Sequence, residues 1–226
     1  MLILAVDTTT FAGSVALLNN RRLIGEINID SDLTYSERLL PAVNFLLDSN
    51  NIDIKNISGY ALAVGPGSFT GIRIGISAIK SFSYASGKQV ACVSSLKALA
   101  LKLKLYHSHL VCPVLDAKKG EIYGALFEST ERKLKEIVKQ GAFTPDYFFS
   151  LLPSKRIISF IGNGIEAYRE TAIKYFKDKA RFPLRSVFIA NEVGQLGYEI
   201  LKKKKGVLFH EVKPLYFRKS QAEEKN

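Results

Sequence analysis

Apolar positions along the chain fall into short continuous runs and stripes of helical period, in a regular order. Runs over 2–6, 13–18 and 22–29, separated by Asp7-Thr8-Thr9-Thr10 and by Asn19-Asn20, predict three strands in a meander. Thr34-Tyr35-Ser36-Glu37 then fits a capping box, and Leu39, Leu40, Val43, Leu46 and Leu47 form the apolar stripe of an amphipathic helix. Pro41 either kinks that helix or marks its true first turn. A buried strand over 57–64 follows, then a glycine-rich turn, a helical pattern to about residue 86 and a strand over 89–93. Ser94 or Ser95 caps a helix through residue 106, which completes one lobe.

The order then repeats. Strands are expected over 110–115, ending at Asp116, and over 121–127 and 134–139; Thr144-Pro145 opens a short helix. A strand over 156–161 leads through Gly162-Asn163-Gly164 into a helix over 165–176, and a final helix over 191–205 ends at Gly206. Strand, acidic turn, two strands, helix, strand, glycine turn and helix therefore occur twice. The pattern predicts an α/β protein of two duplicated lobes around a cleft, each a mixed sheet flanked by helices. The first lobe is expected over 1–106 with 191–226 returning to it, and the smaller second lobe over 107–190.

Composition changes this picture little. Hydrophobic residues make up 47% and charged residues 23% of 226 positions, ordinary for a core-forming protein that folds without staples. Cys92 and Cys112 lie in apolar runs and read as buried free thiols of a reducing compartment. The first six residues lack the basic flank of a secretion signal, and no apolar run reaches membrane-spanning length, so a cytoplasmic location and no membrane partner are expected. The formal charge of +11 suits a polyanion such as RNA, but describes solubility and nonspecific attraction as readily.

Candidate chemistry centres on Gly65-Pro66-Gly67-Ser68-Phe69-Thr70-Gly71-Ile72-Arg73-Ile74-Gly75. A glycine turn between strand and helix leaves backbone N–H groups where an anion can sit, and lets a ligand or a neighbouring backbone approach. Pro66 contributes no N–H, and the spacing matches neither a Walker loop nor Gly-x-Gly-x-x-Gly, nor is Ser68 in a nucleophile elbow. Asp7, Thr8 and Thr9 with Gly65, Gly67 and Ser68 are the candidate nucleotide site in degenerate form; alternatively the Asp7 and threonine side chains bond the backbone of a tight turn, which is the favoured reading. His107-Ser108-His109 lacks further ligands at metal spacing and reads as a surface turn, and His210 stands alone. Lys202 to Lys205 read as the cationic last turn of a helix and a solvated face ahead of an RNA contact.

Duplicated lobes with Asp-Thr-Thr in the first turn resemble the actin, sugar-kinase and Hsp70 superfamily, with its ribonuclease H-like lobes, whose first acidic turn faces nucleotide phosphates and magnesium. Residues 2–10, Ser36-Glu37-Arg38-Leu39-Leu40-Pro41, the glycine stretch, Val93-Ser94-Ser95-Leu96, Asp116-Ala117, Gly120-Glu121-Ile122-Tyr123 and Pro214-Leu215-Tyr216-Phe217-Arg218 together resemble the TsaB (YeaZ) family. The match spans almost the whole chain. It implies a partner subunit of the machinery that installs threonylcarbamoyl on the adenosine beside the tRNA anticodon, acting with the catalytic relative TsaD and the ATPase TsaE, and meeting tRNA only indirectly.

The catalytic relative carries a metal-binding His-x-x-x-His pair after the glycine-loop helix; here those positions are Ser95 and Leu99. A hydroxyl and an isobutyl group cannot replace two imidazoles, so no catalytic residue, no metal and no required cofactor are expected, with at most weak nucleotide binding. Many TsaB-like sequences have His where this one has Tyr35, so the resemblance does not carry a role of that histidine over to this position, and the family assignment is undisturbed. The rival reading is an autonomous ATP-dependent phosphoryl- or carbamoyl-transferase using the same cleft. A metallopeptidase is disfavoured, since His-Glu-x-x-His is absent.

Gly71, Gly75 and Ala78 share one helix face, and interior glycines cost roughly 0.8–1 kcal/mol each against alanine, so something must approach closely. Spacing alone allows a contact within the lobe or across a subunit boundary. The resemblance implies the latter, with Leu40, Val43 and Leu47 as the second surface, because TsaB-like proteins pair through these helices with themselves or with the catalytic relative. On that expectation Gly75→Leu leaves the fold intact and abolishes pairing.

Overall fold

Each apolar run becomes a strand whose place in its sheet follows from how completely apolar it is. In the computed structural model, which describes residues 1–30, 35–103, 109–130 and 134–218, β1 (Leu2–Asp7), β2 (Gly13–Asn19) and β3 (Arg22–Ile29) form an antiparallel meander. After α1 (Tyr35–Asp48), β4 (Gly59–Gly65) pairs in parallel with β1, and after α2 (Phe69–Ser86), β5 (Val90–Ser94) pairs in parallel with β4. The order is β3-β2-β1-β4-β5. β4 is buried at every position, as a central strand covered on both faces must be, whereas the edge strand β3 is exposed or half-buried throughout. Pro41 lies well inside α1, which excludes the first-turn alternative. Thr34 of the expected capping box lies outside the described residues.

The second set repeats the first. After α3 (Ser95–Lys102), β6 (His109–Lys118), β7 (Glu121–Ser129) and β8 (Leu134–Phe143) form another antiparallel meander. After α4 (Pro145–Ser150), β9 (Ile158–Ile161) pairs in parallel with β6; α5 (Gly164–Ala167) and α6 (Arg169–Phe176) lead to β10 (Ala180–Arg181), parallel to β9. The order β10-β9-β6-β7-β8 is that of the first sheet, strand for strand, and α7 (Ala190–Lys202) closes the series. The duplication expected from element order is thus present in topology.

Three local expectations change. The helix expected over 165–176 is broken at Tyr168, whose φ of −117° leaves the helical region while its ring packs on the second core. β10 is too short to register as an apolar run. α3 ends at Lys102, and residues 104–108 lie outside the described residues.

The described residues divide into two units, Met1–Ser95 with Phe188–Leu215, and Leu96–Val187 with those from Tyr216. The expected boundary at 106/107 falls outside the described residues. α3, expected in the first lobe, falls almost wholly in the second unit. Residues 216–218, also expected with the first lobe, belong to the second, where Arg218 pairs with Glu121 at 3.0 Å and donates to the Ala117 carbonyl at 2.8 Å.

In the first unit, adjacent β4 residues point to opposite faces: Ala61 meets α7 at Gly197, and Leu62 meets α2 at Gly75. The sheet therefore has α7 on one side and α2, beside α1, on the other. In the second unit Phe148, Phe149, Phe160 and Phe176 are fully buried among Leu110, Cys112 and Ile158, with ring centroids 5.5–6.1 Å apart. Both cysteines are free thiols; burial raises the pKa of each. No helix among the described residues is long and apolar enough to cross a membrane.

Candidate functional site

β1 ends at Asp7 beside β4, so the chain leaves two neighbouring strands at the same edge and its two turns must pass one another. They meet directly. The Ser68 N–H donates to the Thr9 carbonyl at 2.7 Å, and the Thr8 hydroxyl donates to the Gly71 carbonyl at 2.7 Å. A Cβ on Gly67 would collide with the Thr9 carbonyl, one on Gly71 with the Thr8 carbonyl, and one on Gly75 with the Thr8 hydroxyl and with Leu62. Glycine is required here because backbone, rather than a ligand, occupies that space. Ser68 caps α2 by accepting from the Gly71 N–H at 3.2 Å, while Gly65, at φ +116°, lies against the Leu215 carbonyl. Leu215 in turn donates its N–H to the Val64 carbonyl at 2.8 Å.

Asp7 is buried within this turn. Its Oδ1 accepts from the Thr9 N–H at 2.9 Å and from the Thr9 hydroxyl at 2.7 Å, the side chain bonding its own backbone two residues on. Its Oδ2 is buried with no hydrogen-bond partner among the described residues. Burial raises the carboxyl pKa to about 6, against the lowering effect of both Thr9 bonds. The six candidate nucleotide-site residues, Asp7, Thr8, Thr9, Gly65, Gly67 and Ser68, are therefore brought together. Ser68 and Thr9 are bonded to each other, and the Thr9 backbone lies against Gly67.

The pairing surface requires correction. Val43 and Leu47 are buried in their own unit, and Gly71 and Gly75 are filled by Thr8, so the close approach their spacing signalled is intramolecular. A leucine at position 75 would meet Thr8 and Leu62, so Gly75→Leu damages the fold instead of sparing it. Of the expected set only Leu40, 48% exposed, and half-buried Ala78 face outward. Phe45, 68% exposed on α1, has no counterpart in that set because it lies off the apolar stripe.

Ser95 is fully buried and its hydroxyl donates to the Pro66 carbonyl, which ties it to the glycine turn; Leu99 is buried in the core. Among the described residues no three His, Cys, Asp or Glu side chains are grouped to hold a metal. His107 and Ser108 lie outside the described residues, while a ring nitrogen of His109 bonds the Leu103 carbonyl at 2.8 Å.

Comparison with known proteins sharpens these observations. Residues 30–225 match the family model TsaD, tRNA N6-adenosine threonylcarbamoyltransferase. A Bacillus subtilis protein named tRNA threonylcarbamoyladenosine biosynthesis protein TsaB is 30% identical over 171 residues, 75% of this chain and 74% of that one. A Pseudomonas aeruginosa crystal structure, described as similar to peptidase YeaZ, superposes with a TM-score of 0.80 at 26% identity, covering 96% of this chain and 99% of that one. A Clostridium difficile activator of 2-hydroxyisocaproyl-CoA dehydratase with bound ADPNP, TM-score 0.50 at 9% identity over 96% and 100% of the chains, shares the actin-like fold alone.

Proposed function

This chain belongs to the TsaB family, and we propose that it serves threonylcarbamoyladenosine synthesis in tRNA as a non-catalytic partner of the transferase TsaD, with the ATPase TsaE. The observation that carries the reading is the environment of Ser95 and Leu99. Where the resemblance places a metal-binding histidine pair in the transferase, this chain has a buried hydroxyl tied to Pro66 and a core leucine. The leucine has no donor atom, and the hydroxyl is committed to the turn it supports.

Partnering then falls to the outer surface of α1, where Leu40 and Phe45 are exposed, with Ala78 of α2 beside it; the glycine face is already occupied. Reconstitution with purified TsaD, TsaE, substrates and tRNA tests the proposal. Modification should depend on this chain, and the double substitution Leu40→Asp, Phe45→Asp should abolish association with TsaD while the circular dichroism spectrum is retained. Full modification without the chain would overturn it.

A second reading, an autonomous ATP-dependent transferase, is favoured by one feature, the buried Oδ2 of Asp7, which has no hydrogen-bond partner among the described residues. Against it stands the closure of the glycine turn on Thr9. Calorimetric titration with Mg-ATP decides: weak binding without turnover supports the partner role, whereas micromolar affinity with hydrolysis abolished by Asp7→Asn supports the enzyme.

A further inference from the structure

The lysine run 202–205 is not the last turn of a helix. α7 ends at Lys202, and 203–205 continue outside it: Lys204 adopts φ +56° and donates its N–H to the Leu201 carbonyl, and Lys205 donates to the Ile200 carbonyl. The helix dipole therefore accounts for Lys202 and does not by itself explain three further lysines in succession. Beyond them the chain runs on as a strap. Val207 pairs with Val90 through two 2.9 Å backbone bonds, Gly206 abuts Gln89, and Phe209 packs edge-on against Tyr84 at 5.1 Å. The Lys213 backbone reaches Cys92, which also senses the Lys80 ammonium.

This strap brings the end of the run to Gln89, next to Lys88 just past the end of α2, and lays residues 209–211 against the second half of α2, where Lys80 and Tyr84 lie one turn apart. Residues 54–115 contain no Asp or Glu, so neither α2 nor the segment that follows it carries an acid of its own. The strap supplies a single acid, Glu211, whose carboxylate accepts from the Leu208 N–H at 3.0 Å. Among the described residues none of Lys80, Lys88, Lys203, Lys204, Lys205 or Lys213 forms an ion pair. Tyr84 stands among them 72% exposed, its ring held on one edge by Phe209, and His210 is exposed alongside, packed edge-on against Phe209 at 5.2 Å.

We propose that this surface binds an RNA strand directly, with phosphates on Lys80, on Lys88 and on the lysines that run from the end of α7 into the strap, and an unstacked base against Tyr84. Unpaired cations spaced along a surface neutralise a polyphosphate without first breaking internal bonds. A fixed, exposed ring among them is the stacking platform that separates an RNA site from a merely basic face. The proposal rests on the assignment to tRNA modification, and replaces indirect contact with tRNA by a contact this chain makes itself.

Fluorescence anisotropy with labelled tRNA, across a series of monovalent salt concentrations, tests it on the full chain. Lys88→Ala, Lys203→Ala, Lys205→Ala is compared with Lys135→Ala, Lys139→Ala, Lys155→Ala in the second unit, which has the same net charge. The first triple should weaken binding at least about tenfold and lower the salt slope by about 2, as loss of three phosphate contacts requires; the second should change affinity less than about twofold. Tyr84→Ala should weaken binding with the salt slope unchanged. Equal losses from the two triples would overturn the proposal by showing attraction to the net charge alone. So would stronger binding to anionic phospholipid vesicles than to tRNA at the same salt. Association with TsaD, measured on the same variants, should be unchanged, so failure here and failure of the partner role are read separately.

Discussion

Asp7 and Asp116 end the first strands of two sheets with the same strand order, yet their surroundings drive them in opposite directions. Asp7 is sealed under its own turn with no cation beside it, and burial raises its pKa to about 6. Asp116 is half-buried: burial, the largest single influence, raises its pKa, but the hydrogen bonds and charge of Lys118, paired at 2.7 Å, together lower it overall. Both glycine turns lean on the acidic turn of their own unit. Gly164 lies against Leu115 and Asp116 as Gly71 lies against Thr8, and the Asp116 N–H donates to Asn163 at 3.3 Å. Duplication kept the backbone contact in both units while the carboxylate became buried in one and a surface ion pair in the other. The shared geometry is thus explained by packing, without a ligand common to the two turns.

The largest effect should come from filling the glycine contact. Gly75→Leu is expected to cost about 3 kcal/mol or more, seen as a lower midpoint in chemical denaturation. A variant as stable as the parent would return the glycine face to the protein surface and break the comparison. Asp7→Asn should follow. A carboxyl whose pKa rises from 3.8 to about 6 on folding holds its proton more tightly in the folded state. Stability therefore falls, by on the order of 3 kcal/mol, as pH rises from below 3.8 to above 6, and it stays low beyond that window. Asp7→Asn should flatten that slope in denaturation curves collected from pH 4 to 8.

Thr9→Val removes a hydroxyl donor from the buried carboxylate and should cost about 1.5 kcal/mol at pH 8, with less loss near pH 4 where Asp7 is protonated. The smallest effect belongs to Asp116→Asn. Its depressed pKa gives stability that is present above pH 3.8 and lost as pH falls through its folded pKa, the opposite sign to Asp7. Solvent screening should hold that effect below about 1 kcal/mol. A larger change in the pH dependence of stability from Asp116→Asn than from Asp7→Asn would invert the comparison.

Much of this architecture is legible in the chain because its signals are local. Among the described residues, period-2 and continuous apolar runs mark every strand except β10, and the recurrence of an acidic turn and a glycine turn marks the duplication. Asp7 bonding Thr9 follows from an Asx turn spanning two residues. The concealed features are long-range. Small residues at positions 71 and 75 announce a close neighbour, but nothing near them in sequence says that it is Thr8, 63 residues from Gly71. The strap that lays 209–211 on α2 depends on Val207 finding Val90, and β10 exists only because Ala180 meets Ile158. Phe45 lies off the apolar stripe, and only the packed helix shows it facing outward.

The central claim is that the first acidic turn is structural and that this chain contributes a partner surface without chemistry of its own. Its most direct test is the rate of tRNA threonylcarbamoylation in the reconstituted system with Asp7→Asn in place of the parent chain, at pH 8 and with the variant verified as folded. The account predicts a rate within about twofold of the parent. A folded Asp7→Asn chain that still associates with TsaD but loses modification a hundredfold would contradict it, and would make Asp7 a catalytic residue.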